Sequence, residues 1–181
     1  MSKKNSHPVW DPAVRLLHWS LVAAVAAAWT TRSRLGPVHE WLGWAAAAIA
    51  AARVVWGFRG GHYARFRQFV RSPTATGRYA RAVLAGRAPR YLGHNPLGAW
   101  MVLALLACLC ALTLTGWLYT TDWLWGYGWL ARLHAGLGWL LLVLVALHVG
   151  GVAFTGWQHR ENLIAAMCSG RKAPPRGDDV A

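Results

Sequence analysis

The chain has 181 residues, of which 56% are hydrophobic and 14% are charged, and its formal net charge is +13 at pH 7. Soluble domains usually carry about 25% charged residues, so the composition argues against an ordinary soluble domain. The basic excess alone would suit nucleic-acid binding. The arginines, however, lie between long apolar runs, and a membrane protein with basic cytoplasmic loops accounts for both features. Nucleic acid is therefore not an expected partner, whereas membrane lipid is.

Four hydrophobic segments are each close to the ~20 residues that a bilayer-spanning helix requires. They are expected at about residues 14–31, 38–58, 97–119 and 133–155. The first segment resembles a signal peptide, but its flanks suit cleavage poorly and we expect it to remain. The sequence thus predicts an all-α, integral membrane four-helix bundle over residues 1–160, followed by a short cytoplasmic tail at 161–181.

Basic residues set the expected orientation, since loops rich in Lys and Arg stay in the cytoplasm. The segment 58–93 holds eight arginines, and the tail after Trp157 adds four basic residues. The other side has Arg32, Arg34 and Arg132. Both termini and the central loop are therefore expected to face the cytoplasm.

Short amphipathic helices are expected in the cytoplasmic loop and tail. Apolar residues recur at helical spacing among the arginines, first at Tyr63, Phe66, Phe69 and Val70 and then at Tyr79, Val83 and Leu84. This pattern predicts one or two helices on the anionic cytoplasmic leaflet, with a solvated basic loop as the alternative. In the tail, Glu161 to Cys168 is expected to form a turn or two of helix, and Pro174 to Ala181 to be disordered.

Four histidines sort into two depths of the predicted bundle. His134 and His148 are fourteen residues apart in the fourth span. That spacing places them roughly 21 Å apart along a helix and within about 40° of one face. With a cytoplasmic N-terminus, His18 enters the first span from the inner side and His39 begins the second span at the outer side. The expected pairs are therefore His39 with His134 and His18 with His148.

Paired intramembrane histidines favour a functional site, because polar side chains there are costly unless they have partners. Zinc, copper and haem iron all accept imidazole, but zinc would need further ligands, and Glu40 is the acidic residue available. Gly43 and Gly138 each follow a histidine by one turn and leave room for a flat group, although small-residue helix packing is the alternative. Two non-covalent b haems with bis-histidine ligation fit best, and six-coordinate iron favours electron transfer.

Haem propionates require cations. Arg15 lies one turn before His18, and Arg53 is near the same level of the second span. Both are candidates at the inner haem, with Arg132 or Arg34 at the outer one, and anchoring at the membrane interface is the alternative for each.

An ordered set of short motifs runs along nearly the whole chain. They are Trp10-Asp11, Arg15-Leu16-Leu17-His18-Trp19, His39-x-x-x-Gly43, Tyr91-Leu92-Gly93-His94-Asn95-Pro96-Leu97-Gly98, His134-x-x-x-Gly138, His148, and Glu161-Asn162-Leu163-x-x-Ala166-Met167. Together they resemble the bacterial cytochrome b561 and nickel-hydrogenase b-type cytochrome subunits. The resemblance implies a four-helix bundle of the bacterial inner membrane that binds two b haems, with His18, His39, His134 and His148 as ligands.

The resemblance also implies electron passage between a periplasmic redox partner, such as a cytochrome c or a hydrogenase-type enzyme, and the quinone pool. Ubiquinone or menaquinone would then be a further ligand. His94 could assist quinone protonation or only cap the third helix, and the structural role is favoured. One member of the wider family resembles a quinone-reducing superoxide oxidase, so a quinone-coupled oxidoreductase acting directly on superoxide is the alternative. Whether the chain is itself an enzyme stays open, as does its assembly as a single chain, a homo-oligomer or a subunit.

Overall fold

The structure is a computed structural model that describes residues 6–34, 36–177 and 179–180. Within those residues the chain is mainly helical. The helices are α1 (Pro12–Thr31), α2 (Gly36–Arg59), α3 (Phe66–Phe69), α4 (Pro73–Leu84), α5 (Pro96–Tyr119), α6 (Gly128–His159) and α7 (Leu163–Ser169). A 3-10 turn covers His62–Ala64, and two short strands are β1 (His7–Pro8) and β2 (Arg171–Lys172). The predicted all-α fold, with four long apolar helices and short helices in the loop and tail, is confirmed.

The four long helices α1, α2, α5 and α6 have 20, 24, 24 and 32 residues. At 1.5 Å per residue each reaches the ~30 Å thickness of a bilayer's hydrocarbon core. Only 6–22% of the residues in their most apolar windows are buried within the protein. An apolar exterior of this kind suits lipid as the surrounding solvent, and the chain is a membrane protein by length and composition of these helices.

The chain divides into two compact units. We call Met1–Arg15, Val55–Val102 and Leu147–Ala181 the terminal unit, and Leu16–Val54 and Leu103–Ala146 the apolar unit. Each long helix contributes residues to both units. The buried core of the apolar unit is formed by Cys108, Leu109 and Leu141, and apolar side chains of α1, α5 and α6 pack around it.

The terminal unit holds three segments that are far apart in sequence. β1 pairs with β2 in antiparallel fashion, with His7 opposite Lys172. Val180 forms a parallel bridge with Tyr91, in the loop before α5. The N-terminal segment, the central loop and the C-terminal segment therefore meet in one unit.

The expectation of disorder from Pro174 to Ala181 is wrong for the residues that the structure describes, 174–177 and 179–180; Asp178 and Ala181 lie outside them. The Val180 N–H donates to the Arg90 carbonyl at 2.9 Å, and the Leu92 N–H donates to the Val180 carbonyl at 3.0 Å. Asp179 also forms an ion pair with Arg90. These partners are about ninety residues away in sequence, so the polar composition of the tail carried no sign of them.

Helix α4 shows how the basic loop is attached. Ser72 accepts a hydrogen bond from the Ala75 N–H at 3.3 Å and so caps the helix, and Pro73 occupies its first turn. Tyr79 is buried with its ring 5.4 Å from that of Tyr91, and burial, together with Tyr91, raises the pKa of Tyr79 to about 12. The Tyr79 face therefore packs inward.

Candidate metal centre

His39 of α2 and His134 of α6 lie together in the apolar unit. Their ring centroids are 6.1 Å apart and their planes are almost perpendicular, at 89°. Both side chains are half-buried. The structure thus brings together the pair that the sequence assigned to the outer level.

The separation of these rings fits two ligands on opposite sides of one metal ion. A metal–imidazole bond is about 2.0–2.1 Å long. Since each ring centre lies ~1.1 Å beyond its bonded nitrogen, two opposed imidazoles should have centroids about 6.3 Å apart. The 6.1 Å measured between His39 and His134 agrees with that value.

The hydrogen bond of His39 defines which of its nitrogens is available. Its Nδ1 lies 2.8 Å from the backbone carbonyl oxygen of Ala28, in α1. A carbonyl only accepts, so the His39 Nδ1 carries the proton and donates it. The neutral ring then has an unprotonated Nε2, which is the state a metal requires, and the Ala28 carbonyl fixes its orientation.

His134 is held by a side chain of α5. Its Nδ1 lies 3.1 Å from the hydroxyl oxygen of Thr115, which is 7% exposed. That hydroxyl also points at the carbonyls of Ala111, at 2.8 Å, and Leu112, at 3.0 Å. Because a hydroxyl has a single hydrogen, donation to a carbonyl leaves the oxygen as an acceptor for the His134 Nδ1–H. His134 is then also a ring with its Nε2 unprotonated.

Gly116, next to Thr115, allows the His134 ring to lie close to the backbone of α5. A Cβ at Gly116 would lie 3.2 Å from His134 Cε1, which is closer than ordinary van der Waals contact. Sequence reasoning missed both residues. The available signal was a Thr–Gly pair in an otherwise apolar span, and helix packing uses such pairs for many purposes.

The two glycines predicted to clear space differ in their surroundings. A Cβ at Gly43 would meet no atom within 4 Å. A Cβ at Gly138 would lie 3.5 Å from the Trp29 ring, which is ordinary contact. There is therefore open space for a flat group at Gly43, one turn along α2 from His39. At Gly138 the Trp29 indole occupies the corresponding space.

The inner-level histidines lie in different units. His18 belongs to the apolar unit, where its ring centroid is 4.9 Å from that of Trp19, and His148 belongs to the terminal unit. Both are half-buried. Their pairing stays a prediction.

The predicted cations are placed as follows. Arg53 is buried, with 8% exposure. Arg15 donates from Nη1 to the carbonyl of Ser169 at 3.3 Å, so that end of its guanidinium meets the carboxyl end of α7. Arg34 and Arg132 are exposed. The role of all four arginines toward a haem propionate stays a prediction.

His94 is not the cap of α5. Asn95 has that function, since its Oδ1 accepts from the Gly98 N–H at 2.7 Å. The ring of His94 instead packs 4.5 Å from Phe69 and 4.8 Å from Trp10, centroid to centroid. The favoured structural role is thus compatible with its surroundings, but through packing and not through capping.

The donor set of the described residues suits a metal with further ligands of its own. No group of three or more His, Cys, Asp and Glu side chains in that part of the chain could hold a metal ion. Glu40 is exposed. Protein zinc sites use at least three protein ligands, whereas haem iron has four from its macrocycle and needs two axial ones. The pair His39 and His134 therefore fits haem.

The family model described as prokaryotic cytochrome b561 matches residues 9–170. That range contains all four long helices and the histidines His18, His39, His134 and His148. No curated protein and no solved structure gives a significant match.

Proposed function

The chain belongs to the prokaryotic cytochrome b561 family, and from that premise we propose that it carries electrons across the membrane through two b haems, each ligated by two histidines. Membership itself implies b-type haem and electron transfer in a membrane. The number of haems, their ligands and the redox partners are the proposal.

The observation that carries the proposal is the geometry of His39 and His134. Their centroid distance of 6.1 Å suits one metal between them, and each Nδ1 is engaged by a neighbouring acceptor. His39 and His134 would then hold the iron through one nitrogen each, and a haem iron held by two histidines favours electron transfer over oxygen chemistry. When bound, haem supplies a one-electron couple at its iron.

The second haem would be held by His18 and His148. His148 lies on α6, four turns of helix from His134, and His18 lies near the start of α1. Arg15 and Arg53 would neutralise propionates at that level. Gly43 would admit the macrocycle near the other haem, whereas the position predicted for it at Gly138 lies against the Trp29 ring. The apolar side chains of the long helices would keep water from both sites.

The proposed orientation places both termini and the central loop in the cytoplasm, in the inner membrane of a bacterium. Two independent features support it. The terminal unit joins the N-terminal, central and C-terminal segments through β1–β2 and the Tyr91–Val180 bridge. The segment 58–93 has eight arginines and no acidic residue, which is typical of a cytoplasmic loop. Electrons would pass between a periplasmic partner and the quinone pool.

Sealed vesicles test this function. The purified protein would be reconstituted with ferricyanide trapped inside, and a membrane-impermeant reductant would be added outside. We expect ferricyanide reduction that increases with the amount of protein and falls to the protein-free rate in H134A and H148A. Wild-type vesicles that match protein-free vesicles would contradict the proposal. Quinone reduction driven by superoxide without any protein partner would identify the oxidoreductase alternative instead.

A further inference from the structure

We propose that Thr115 is a positioning residue for the haem site: its hydroxyl fixes the proton on the His134 Nδ1 and thereby lowers the midpoint potential of the haem that His39 and His134 ligate. This inference rests on the proposed function. It concerns one residue of α5, a helix that contributes no ligand to the proposed site.

The contacts of Thr115 favour one direction for its hydrogen bond to His134. Its hydroxyl oxygen is within 2.8 Å and 3.0 Å of the two carbonyls one helical turn back, and 3.1 Å from His134 Nδ1. Back-bonding of this kind is a usual arrangement for Thr within a helix. When the one hydroxyl hydrogen is used within α5, the Thr115 oxygen accepts from the His134 Nδ1–H.

A hydrogen-bond acceptor for Nδ1–H changes the basicity of the imidazole Nε2, the atom that would bind the metal. Pulling that proton toward Thr115 makes the ring more basic at Nε2, as outer-shell partners of metal-bound histidines do. A more basic axial ligand stabilises ferric over ferrous iron and lowers the reduction potential. Thr115 is buried, so water does not readily take its place.

The two rings differ in a way that makes the effect testable. The acceptor of His39 is the backbone carbonyl of Ala28, which no substitution of a side chain removes. His134 Nδ1 faces a hydroxyl, which one substitution removes. The backbone carbonyl of Leu112 also hydrogen-bonds to this ring, so the substitution removes one of its two acceptors. Only one half of the pair is therefore tuned by a side chain.

Three variants isolate the hydroxyl. T115V keeps the shape of the side chain and removes the acceptor, whereas T115S keeps the acceptor and removes a methyl group. T113V is the matched control, because the Thr113 hydroxyl lies in the same helix and donates to the Cys110 carbonyl at 3.1 Å. A purely structural role would respond to T115S as well as to T115V.

Potentiometric titration of the purified holoprotein gives the readout. In T115V we expect one of the two midpoint potentials to rise while the other stays at its wild-type value, or that haem to be lost while T115S retains it. In T115S and T113V both potentials should match the wild type. An equal shift in T115S or in T113V, or no shift in T115V, would overturn the inference.

Haem content of H134A separates this inference from the proposed function. If H134A retains two haems, His134 is not a ligand and the proposed function fails at its ligand assignment. If H134A loses one haem and T115V still titrates as the wild type does, the ligand assignment stands and only the role of Thr115 is wrong.

Discussion

The apolar unit and the terminal unit both bury polar groups, but they satisfy them by different means. In the apolar unit, the Nδ1 atoms of His39 and His134 face neutral groups, a carbonyl and a hydroxyl respectively. In the terminal unit, Arg90 forms ion pairs with Glu161 and Asp179, and the three side chains are 2–9% exposed. The first arrangement leaves one nitrogen of each imidazole available, whereas the second uses its charges to hold segments together.

The charge network of the terminal unit joins three parts of the chain. Arg90 Nη2 and Glu161 Oε1 are 2.9 Å apart, and Lys172 Nζ and Glu161 Oε2 are 3.1 Å apart. Burial alone would raise the pKa of Glu161, but the hydrogen bonds and charges of Arg90 and Lys172 outweigh it, so the pKa lies below its ordinary 4.5. The network therefore has a structural role in the terminal unit.

Loss of Arg90 should be the most damaging change to the terminal unit. R90A leaves two buried carboxylates without their main partner, and breaking a buried ion pair in this way costs about 3–5 kcal/mol. We expect a clear fall in the thermal unfolding temperature of the detergent-solubilised protein. R87A is the control, since Arg87 is exposed, and equal stability of the two variants would show that the network contributes little.

Exposed arginines of the same unit should bind anionic lipid. Arg78 and Arg81 are exposed on α4, whereas Tyr79 packs inward. Each basic residue near an anionic surface contributes about 1 kcal/mol, so R78Q/R81Q should lose part of the protein's preference for phosphatidylglycerol over phosphatidylcholine. Native mass spectrometry of the lipids retained on the protein measures this preference. R32Q/R34Q should keep it, and an unchanged preference in R78Q/R81Q would leave α4 as an ordinary solvated helix.

Acidification should destabilise the terminal unit by less than R90A does. The burial of Glu161 raises its pKa and so partly offsets the lowering by its ion pairs. A carboxylate whose folded-state pKa is depressed contributes stability above its unfolded pKa and loses it as the pH falls through the folded value. The thermal unfolding temperature should therefore decline below about pH 4.5, the ordinary value for Glu161. E161Q should show a shallower decline than E40Q, whose altered residue is exposed in the wild type. Identical pH profiles for E161Q and the wild type would argue against Glu161 as the titrating group.

The long helices could be predicted because a membrane span has a simple signature in length and hydropathy. Their ends could not be predicted as well. Helix α6 begins at Gly128, whereas the predicted span begins at residue 133. The helical backbone includes Trp129 and Arg132, which a prediction based on hydropathy leaves outside the span. The His39–His134 pair was predictable from depth alone, because helical rise converts sequence spacing into height.

Other features had no local signal. The Arg90–Asp179 ion pair joins residues 89 positions apart, and the tail that carries Asp179 has the composition of a disordered segment. Thr115 has the sequence context of an ordinary helical threonine, and only the position of His134 gives its hydroxyl a second partner. Asn95 and His94 are adjacent, and the choice of helix cap between them depends on the side-chain geometry at Gly98.

Haem counting in paired histidine variants tests the central claim most directly, that two haems are each held by one histidine pair. Pyridine haemochrome analysis of the purified wild type should give two non-covalent haems per chain. H39A/H134A, which removes both members of one pair, should retain one haem, whereas H134A/H148A, which removes one member of each pair, should retain none. Two haems in H39A/H134A, or one in H134A/H148A, would contradict the assignment.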